Sequence, residues 1–182
     1  MSINTVNNNI WFVGNITDVN VHYIIQELEK LQTSNVSLFL NTGGGSVDEG
    51  LFLFDYLQYR AKINSINIVG VSTVDSSGSY SLFTDNPTFF YPHCSVLLHP
   101  IGTTIENKLE TNNFLAVANR IERLTKQVAD IYAGRGLTDA TWQSKSCYYT
   151  ANDMVSLGVG QLWSNPTITI GTKNEKLVGD IK

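Results

Sequence analysis

The strongest constraint on the fold is a stretch in which one apolar run passes through a glycine-rich segment into a second apolar run. Residues 36–40 (VSLFL) are followed directly by NTGGGSV and then by GLFLFDYLQY. A short, continuous apolar run is typical of a strand that is buried on both faces, and the longer run after the glycines predicts a helix. A strand, a tight turn and a helix in this order form the basic unit of an α/β protein.

The same alternation recurs along most of the chain. The spacing of apolar residues predicts a helix over about residues 19–32, capped by Asp18, and a second, short helix over about residues 77–84. Further strands are predicted at residues 10–13, 66–74, 89–91 and 95–98. The sequence therefore predicts a single α/β domain over residues 1–164, followed by a polar C-terminal tail over residues 165–182.

One helix is predicted to be much longer than the others. Its apolar residues recur in steps of three and four, which places them on one face. They are Phe114, Val117, Ile121, Leu124, Val128 and Ile131. Gly134 and Gly136 are predicted to end this helix. So regular a seam suits packing against another helix, in this chain or in a second subunit, and ordinary packing on the core explains it equally well.

The composition argues against several classes of protein. The 182 residues carry a net charge of −4 and contain no basic run, so no nucleic-acid partner is expected. No apolar run approaches the roughly 20 residues of a membrane span, and the N-terminus lacks the pattern of a secretory signal. Cys94 and Cys147 do not have the spacing of a metal site. We therefore expect a soluble, cytoplasmic protein without a metal or cofactor.

Three stretches contain residues suited to chemistry. The glycines of NTGGGSV leave backbone N–H groups exposed near a helix N-terminus, where such groups bind phosphate or an oxyanion. The stretch lacks the lysine of a phosphate-binding P-loop, and on its own it is better explained as a plain tight turn. DSSGSY places Ser76 and Ser77 at a strand-to-helix turn, and SVLLHP places His99 at the end of an apolar strand. Together they supply an anion cradle, a nucleophile and a base, which serine hydrolases combine with an acid.

Five stretches also carry a family resemblance. NTGGGSVDEGLFLFDYLQY is similar to N-S-P-G-G-S-V and the helix after it, SSGSYSLF to S-M-G-A-F-L-L, and YPHCSVLLHP to L-P-N-S-R-V-M-I-H-Q-P. IWFVGNITD resembles I-x-L-x-G-x-I-x-D, and YYTANDMVSLGVG resembles F-x-S-A-x-E-A-x-x-Y-G-L. Taken in chain order over residues 10–163, these stretches resemble the motifs of the proteolytic subunit of the Clp protease. The resemblance implies the ClpP/crotonase-like α/β fold, with repeated β-β-α units and a long oligomerisation helix.

The resemblance also implies a serine endopeptidase that cleaves peptides or unfolded proteins inside an oligomeric chamber of stacked, heptameric rings, with an ATPase unfoldase as a further partner. Ser76 falls on the family's nucleophile and His99 on its general base. The backbone N–H groups of Gly45 and Ser77 would bind the oxyanion. Residues 103–134 would form the contact between the rings.

The identity of the nucleophile stays open at this stage. The related signal peptide peptidase A family has the motif A-S-G-G-Y-Y, and in that register Ser77 is the nucleophile and the Gly78 amide is an oxyanion donor. Asp75 stands where the Clp motif has alanine. A carboxylate at this position is expected to raise a neighbouring pKa or to repel the developing oxyanion.

The acid that would orient His99 is also open. The aligned position falls on Gln143 or Ser144, and Asp139, several residues earlier, is the candidate carboxylate. A catalytically impaired relative that acts as an assembly or interaction subunit would tolerate an amide or hydroxyl at the acid position. An acyl-CoA enzyme of the crotonase branch would keep the glycine-rich loop, but it would not need the pair of Ser76 and His99.

Overall fold

The structure, a computed structural model, describes residues 1–31, 35–102 and 111–164, and the predicted polar tail lies outside them. The strands are β1 (Ser2–Val6), β2 (Asn9–Val13), β3 (Ser37–Thr42), β4 (Asn67–Val74), β5 (Thr88–Phe90), β6 (Ser95–Leu98), β7 (Cys147–Thr150) and β8 (Gln161–Leu162). The helices are α1 (Asp18–Lys30), α2 (Val47–Ile63), α3 (Thr111–Ala133) and α4 (Ala151–Ser156), with two 3-10 helices at Ser76–Phe83 and Ala140–Gln143. The predicted α/β class is confirmed.

The strands form one mixed sheet. β1 pairs with β2 in the antiparallel direction, and β2, β3, β4, β5 and β8 then follow in parallel order. β6 runs parallel to β4 at the pair Thr73–Ser95 and antiparallel to β7. The first four residues of β3 are all buried, as expected of a strand that is covered on both faces.

The sheet brings the three chemical stretches together. β3 and β4 are parallel neighbours that end at the same edge, with Thr42 opposite Val74 beyond an irregularity after Leu40. The glycine loop (residues 43–45) leaves β3 at this edge, and Ser76 follows β4 there. His99 follows β6, which lies beside β4. Ligand sites in open α/β sheets lie beyond the carboxyl ends of the strands, so the topology places the candidate site there.

The helices differ from the predicted ones in two respects. Thr17, and not Asp18, caps α1, because the Thr17 side chain accepts a hydrogen bond from the Asn20 amide. The short helix after β4 is a 3-10 helix. No helix in the described parts of the chain is both long and apolar enough to cross a membrane.

Within the described residues, the side chains of the long helix α3 that are buried by its own chain lie in its C-terminal half. Leu124, Val128 and Tyr132 are buried, whereas Phe114 and Leu115 remain 55% and 54% exposed. The apolar seam therefore contributes to the core at one end and lies uncovered within the described chain at the other.

The first strand was not predicted from the sequence. β1 is short and largely polar, so its apolar pattern is weak. It is joined to β2 by Asn7 and Asn8, whose φ values of 50° and 64° are those of a tight hairpin turn. The turn rather than hydrophobicity explains this strand.

Candidate active site

Ser76 occupies a backbone conformation that is unusual for a residue with a side chain. Its φ is 54°, and it begins the 3-10 helix directly after β4. The residue before it is held to β3, because the Asp75 amide donates to the Thr42 carbonyl at 2.9 Å. The turn is half-buried at Asp75 and Ser76 and fully buried from Ser77 onward. Ser76 is therefore the accessible serine of the pair.

The glycine loop lies directly against Ser76. A Cβ atom on Gly44 would lie 2.5 Å from the Ser76 Cβ and 3.2 Å from its Oγ. Gly44 also has a φ of 84° and donates its amide to Thr42 Oγ1 at 3.0 Å. Glycine is required here both for the close approach and for the left-handed backbone.

Two amides beside Ser76 donate to no protein acceptor in the described residues: those of Gly45 and Ser77. Their neighbours are occupied, because the Ser46 amide donates to Ile16 O and the Gly78 amide donates to Asp75 O, at 2.9 and 3.0 Å. Backbone N–H groups without a protein acceptor, near a serine hydroxyl, are the kind of donor that an oxyanion hole uses.

Ser77 faces away from the glycine loop. Its side chain is fully buried, and a Cβ atom on Gly50 of α2 would lie 2.8 Å from the Ser77 Cβ. Its Oγ has no hydrogen-bond partner. The Gly78 amide, which the alternative register would use as a donor, is bonded to Asp75 O. The geometry therefore favours Ser76 over Ser77 as the nucleophile.

His99 lies just past the end of β6 and is half-buried. Its Nδ1 lies 2.7 Å from the Pro100 carbonyl oxygen. Because a carbonyl only accepts, Nδ1 must carry the proton, which leaves the lone pair on Nε2. Among the described residues His99 makes no hydrogen bond with Ser76 and no ion pair with a carboxylate.

Asp75 has a role that sequence reasoning missed. Its Oδ1 accepts a hydrogen bond from the Leu97 amide at 3.0 Å. This bond ties the residue before Ser76 to β6, which ends at Leu98, directly before His99. The signal available in the sequence was a carboxylate where the Clp motif has alanine, which we had expected to disturb the site.

The structure does not bring Asp139 to His99. Asp139 is exposed and caps the second 3-10 helix, where its Oδ1 accepts from the Thr141 amide at 2.9 Å and from the Thr141 hydroxyl. These bonds to Thr141 hold the pKa of Asp139 below its usual value. Gln143 and Ser144 are exposed in the same helix and its end, and neither makes a hydrogen bond to His99.

A cavity of about 310 Å³ opens beside the Gly45 amide. Gly45, the start of α2, Ile101, Gly102 and the middle of α3 line it. Arg120 of α3 and Asp48 of α2 form an ion pair across its wall. The cavity therefore adjoins the glycine loop. No group of His, Cys, Asp or Glu in the described chain is arranged to hold a metal ion.

Comparison with known proteins agrees with the motifs. The chain is 26% identical over 128 residues to an "ATP-dependent Clp protease proteolytic subunit" of Pleurastrum terricola, covering 67% of this chain and 63% of that protein. It is 27% identical over 105 residues to the protein of the same name in Cucumis sativus, covering 57% and 52%. It is 26% identical over 129 residues to "ATP-dependent Clp protease proteolytic subunit 1" of Leifsonia xyli subsp. xyli, covering 65% and 64%.

These alignments span from about half to just under two thirds of the length of the curated relatives. The family model described as "Clp protease" matches residues 3–145. That match includes the glycine loop, both serines, His99 and α3, and the resemblance inferred from the motifs is confirmed. The chain belongs to the Clp protease family.

Proposed function

We propose that this protein is a serine endopeptidase that hydrolyses peptide bonds in peptides or unfolded proteins, with Ser76 as nucleophile and His99 as general base. The observation that carries the proposal is the pair of free amides, Gly45 and Ser77, beside a serine that lies against Gly44. Membership of the Clp protease family supports the same reaction.

The reaction follows from these groups. Ser76 Oγ attacks the scissile carbonyl carbon and its proton passes to His99 Nε2. The carbonyl oxygen becomes an oxyanion that accepts hydrogen bonds from the Gly45 and Ser77 amides. His99 then gives the proton to the leaving amine, and an ester to Ser76 remains. Water hydrolyses the ester through the same base, which releases the carboxylate product and restores Ser76.

In this proposal the Pro100 carbonyl takes the orienting part that an acid plays in other serine hydrolases. By accepting from Nδ1 at 2.7 Å, it selects the tautomer whose Nε2 can accept the Ser76 proton. A carbonyl carries only a partial negative charge, so it stabilises the imidazolium less than a carboxylate would. We therefore expect a slower enzyme than one with a full triad. The bond from Ser76 to His99 would form on substrate binding, since catalytic hydrogen bonds are often long in free enzymes.

The assembly and partners are part of the same proposal. The uncovered apolar half of α3, which contains Phe114 and Leu115, suits packing against a second subunit. We propose a homo-oligomer of stacked, heptameric rings whose chamber encloses the site. The names of the relatives include "ATP-dependent", and on that basis we propose an ATPase unfoldase as partner. A cytoplasmic location belongs to the proposal as well.

Labelling with a fluorophosphonate, followed by peptide mass mapping, tests the nucleophile. We expect the adduct on Ser76, its loss in Ser76→Ala and its retention in Ser77→Ala. Loss in Ser77→Ala alone would assign the reaction to Ser77. Absence of any adduct in a folded oligomer, as established by native mass spectrometry, would overturn the proposed peptidase activity. Turnover of acyl-CoA but not of peptides would point to the crotonase branch instead.

A further inference from the structure

The backbone of Ser76 must be held in place by its surroundings. A residue with a side chain and a φ of 54° lies in the left-handed region, and such conformations persist only where neighbouring contacts determine them. The Gly44 contact explains the room for the side chain. That contact does not explain what holds the Ser76 carbonyl, which lies on the other side of the residue.

A buried hydroxyl holds that carbonyl. Ser79 Oγ donates to Ser76 O at 2.6 Å and lies 2.8 Å from the Tyr132 hydroxyl oxygen. A serine hydroxyl has one proton, and here it goes to a carbonyl that can only accept. The Tyr132 hydroxyl must therefore donate to Ser79 Oγ. The result is a directed chain of two hydrogen bonds from α3 to the peptide after Ser76.

That peptide also contains the Ser77 amide. The described chain has no cis peptide bond, so the Ser76 carbonyl and the Ser77 N–H lie in one plane and point in opposite directions. Holding the carbonyl oxygen from one side fixes the direction of the N–H on the other. A hydrogen bond to the carbonyl also polarises the peptide, which strengthens the N–H as a donor.

Tyr132 is itself rigidly placed. It is 2% exposed and packs against Phe83 and Trp142, with ring centroids 4.5 and 5.0 Å away. Burial raises the pKa of its phenol well above the usual value. The phenol therefore keeps its proton near neutral pH, where it can donate.

We propose that Ser79 and Tyr132 are positioning residues for the oxyanion hole: the chain from Tyr132 through Ser79 to the Ser76 carbonyl sets the direction of the Ser77 N–H. The inference rests on the proposed function, because it assigns a purpose to that amide in peptide hydrolysis. It predicts that two buried groups which touch no substrate control the rate of the chemical step.

The test compares Tyr132→Phe and Ser79→Ala with matched controls. Loss of a whole oxyanion donor costs about 10²–10³ in kcat, so a misdirected donor should cost less, about 10-fold, with KM changed less than about 2-fold. Tyr80→Phe and Ser81→Ala are the controls. They make the same substitutions in the same buried cluster and 3-10 helix, but neither hydroxyl is bonded to the Ser76 carbonyl. Both controls should keep the wild-type kcat.

A second measurement reports on binding of the oxyanion alone. Affinity for a peptide boronate, whose adduct places an oxygen at the oxyanion site, should fall in parallel with kcat. Affinity for the same peptide with a reduced CH₂–NH bond, which has no such oxygen, should not change. The double variant should lose no more than Ser79→Ala, because that substitution alone removes both hydrogen bonds of the chain.

The outcomes separate this inference from the proposed function. An active wild type with unchanged kcat and boronate affinity in Tyr132→Phe and Ser79→Ala would overturn the inference alone. Equal losses in the two control variants would also overturn it, since packing would then explain the effect. A folded wild type that neither hydrolyses peptides nor reacts with a fluorophosphonate would overturn the proposed function and this inference with it.

Discussion

The carboxylate of Asp75 accepts a hydrogen bond from the backbone amide of Leu97 at 3.0 Å. The bond joins the turn that presents Ser76 to the strand that presents His99, so it constrains the position of the proposed base relative to the proposed nucleophile. A residue that looked disruptive in the sequence thus contributes to the geometry of the site.

Replacement of Asp75 should separate its charge from its role as an acceptor. Asp75→Ala leaves the Leu97 amide unpaired, which should cost about 1–3 kcal/mol of stability and about 10-fold or more in kcat through misplacement of His99. Asp75→Asn keeps an acceptor oxygen and should retain most of the stability and most of the kcat. Urea unfolding and peptide hydrolysis measure the two effects. If Asp75→Asn lowers stability and kcat as much as Asp75→Ala does, the negative charge of Asp75, and not its role as a hydrogen-bond acceptor, is responsible.

Adjacent glycines of the loop should respond very differently to the same substitution. Gly44→Ala places a Cβ 2.5 Å from the Ser76 Cβ in a backbone with a φ of 84°, and strain of this kind costs about 1–3 kcal/mol before the clash is counted. It should abolish fluorophosphonate labelling. Gly43→Ala meets no atom within 4 Å and should change stability by less than about 0.5 kcal/mol. Equal behaviour of the two variants would refute the proposed packing of the loop against Ser76.

Asp139 should be dispensable for catalysis. Asp139→Asn keeps a side-chain oxygen for the Thr141 amide and should leave kcat within a factor of about 3, whereas loss of a triad carboxylate costs about 10⁴. Steady-state hydrolysis of a peptide decides the point. A drop of several thousandfold would show that Asp139 reaches His99 during the reaction.

The two free cysteines should differ in reactivity. Burial, and then the charge of Asp75, raise the pKa of Cys94 to about 12, so about one thiol in 10⁴ is ionised at pH 8. Cys147 is half-buried. Titration of the native protein with a disulfide reagent at pH 8 should give one reacting thiol, Cys147, and the second only on unfolding. Rapid reaction of Cys94 in the folded protein would contradict its buried position, where its Sγ lies against Gly70 of β4.

Stability should fall in alkali because of buried tyrosines. Burial raises the pKa of Tyr80 and Tyr132 above the ordinary 10.0. Above pH 10 the unfolded chain loses these protons while the folded chain keeps them, so stability is full below pH 10 and declines above it. At pH 11 each such tyrosine should cost about 1.4 kcal/mol. Urea midpoints at pH 8 and 11 should therefore differ less in Tyr132→Phe than in wild type, and an equal difference would contradict this account.

Much of the fold could be read from the sequence because burial leaves a periodic pattern. The apolar runs that became β3, β4 and β6 and the seam of α3 were located in this way. β1 was not, since five mostly polar residues show no such pattern and their pairing depends on the turn at Asn7 and Asn8. The family, too, followed from the order of the motifs.

The sequence by itself determined that a glycine loop, a serine turn and a histidine each follow an apolar strand, because buried strands leave continuous apolar runs, and the paired strands of the structure place all three at one edge of the sheet. Only the tertiary structure decided which serine faces the loop, since the direction of a side chain at a turn depends on φ, and Ser76 has a positive value. The same holds for the partners of His99 and for the bond from Tyr132 to Ser79, 53 residues apart. Contacts between residues distant in sequence arise from the path of the chain in three dimensions, which no local pattern encodes.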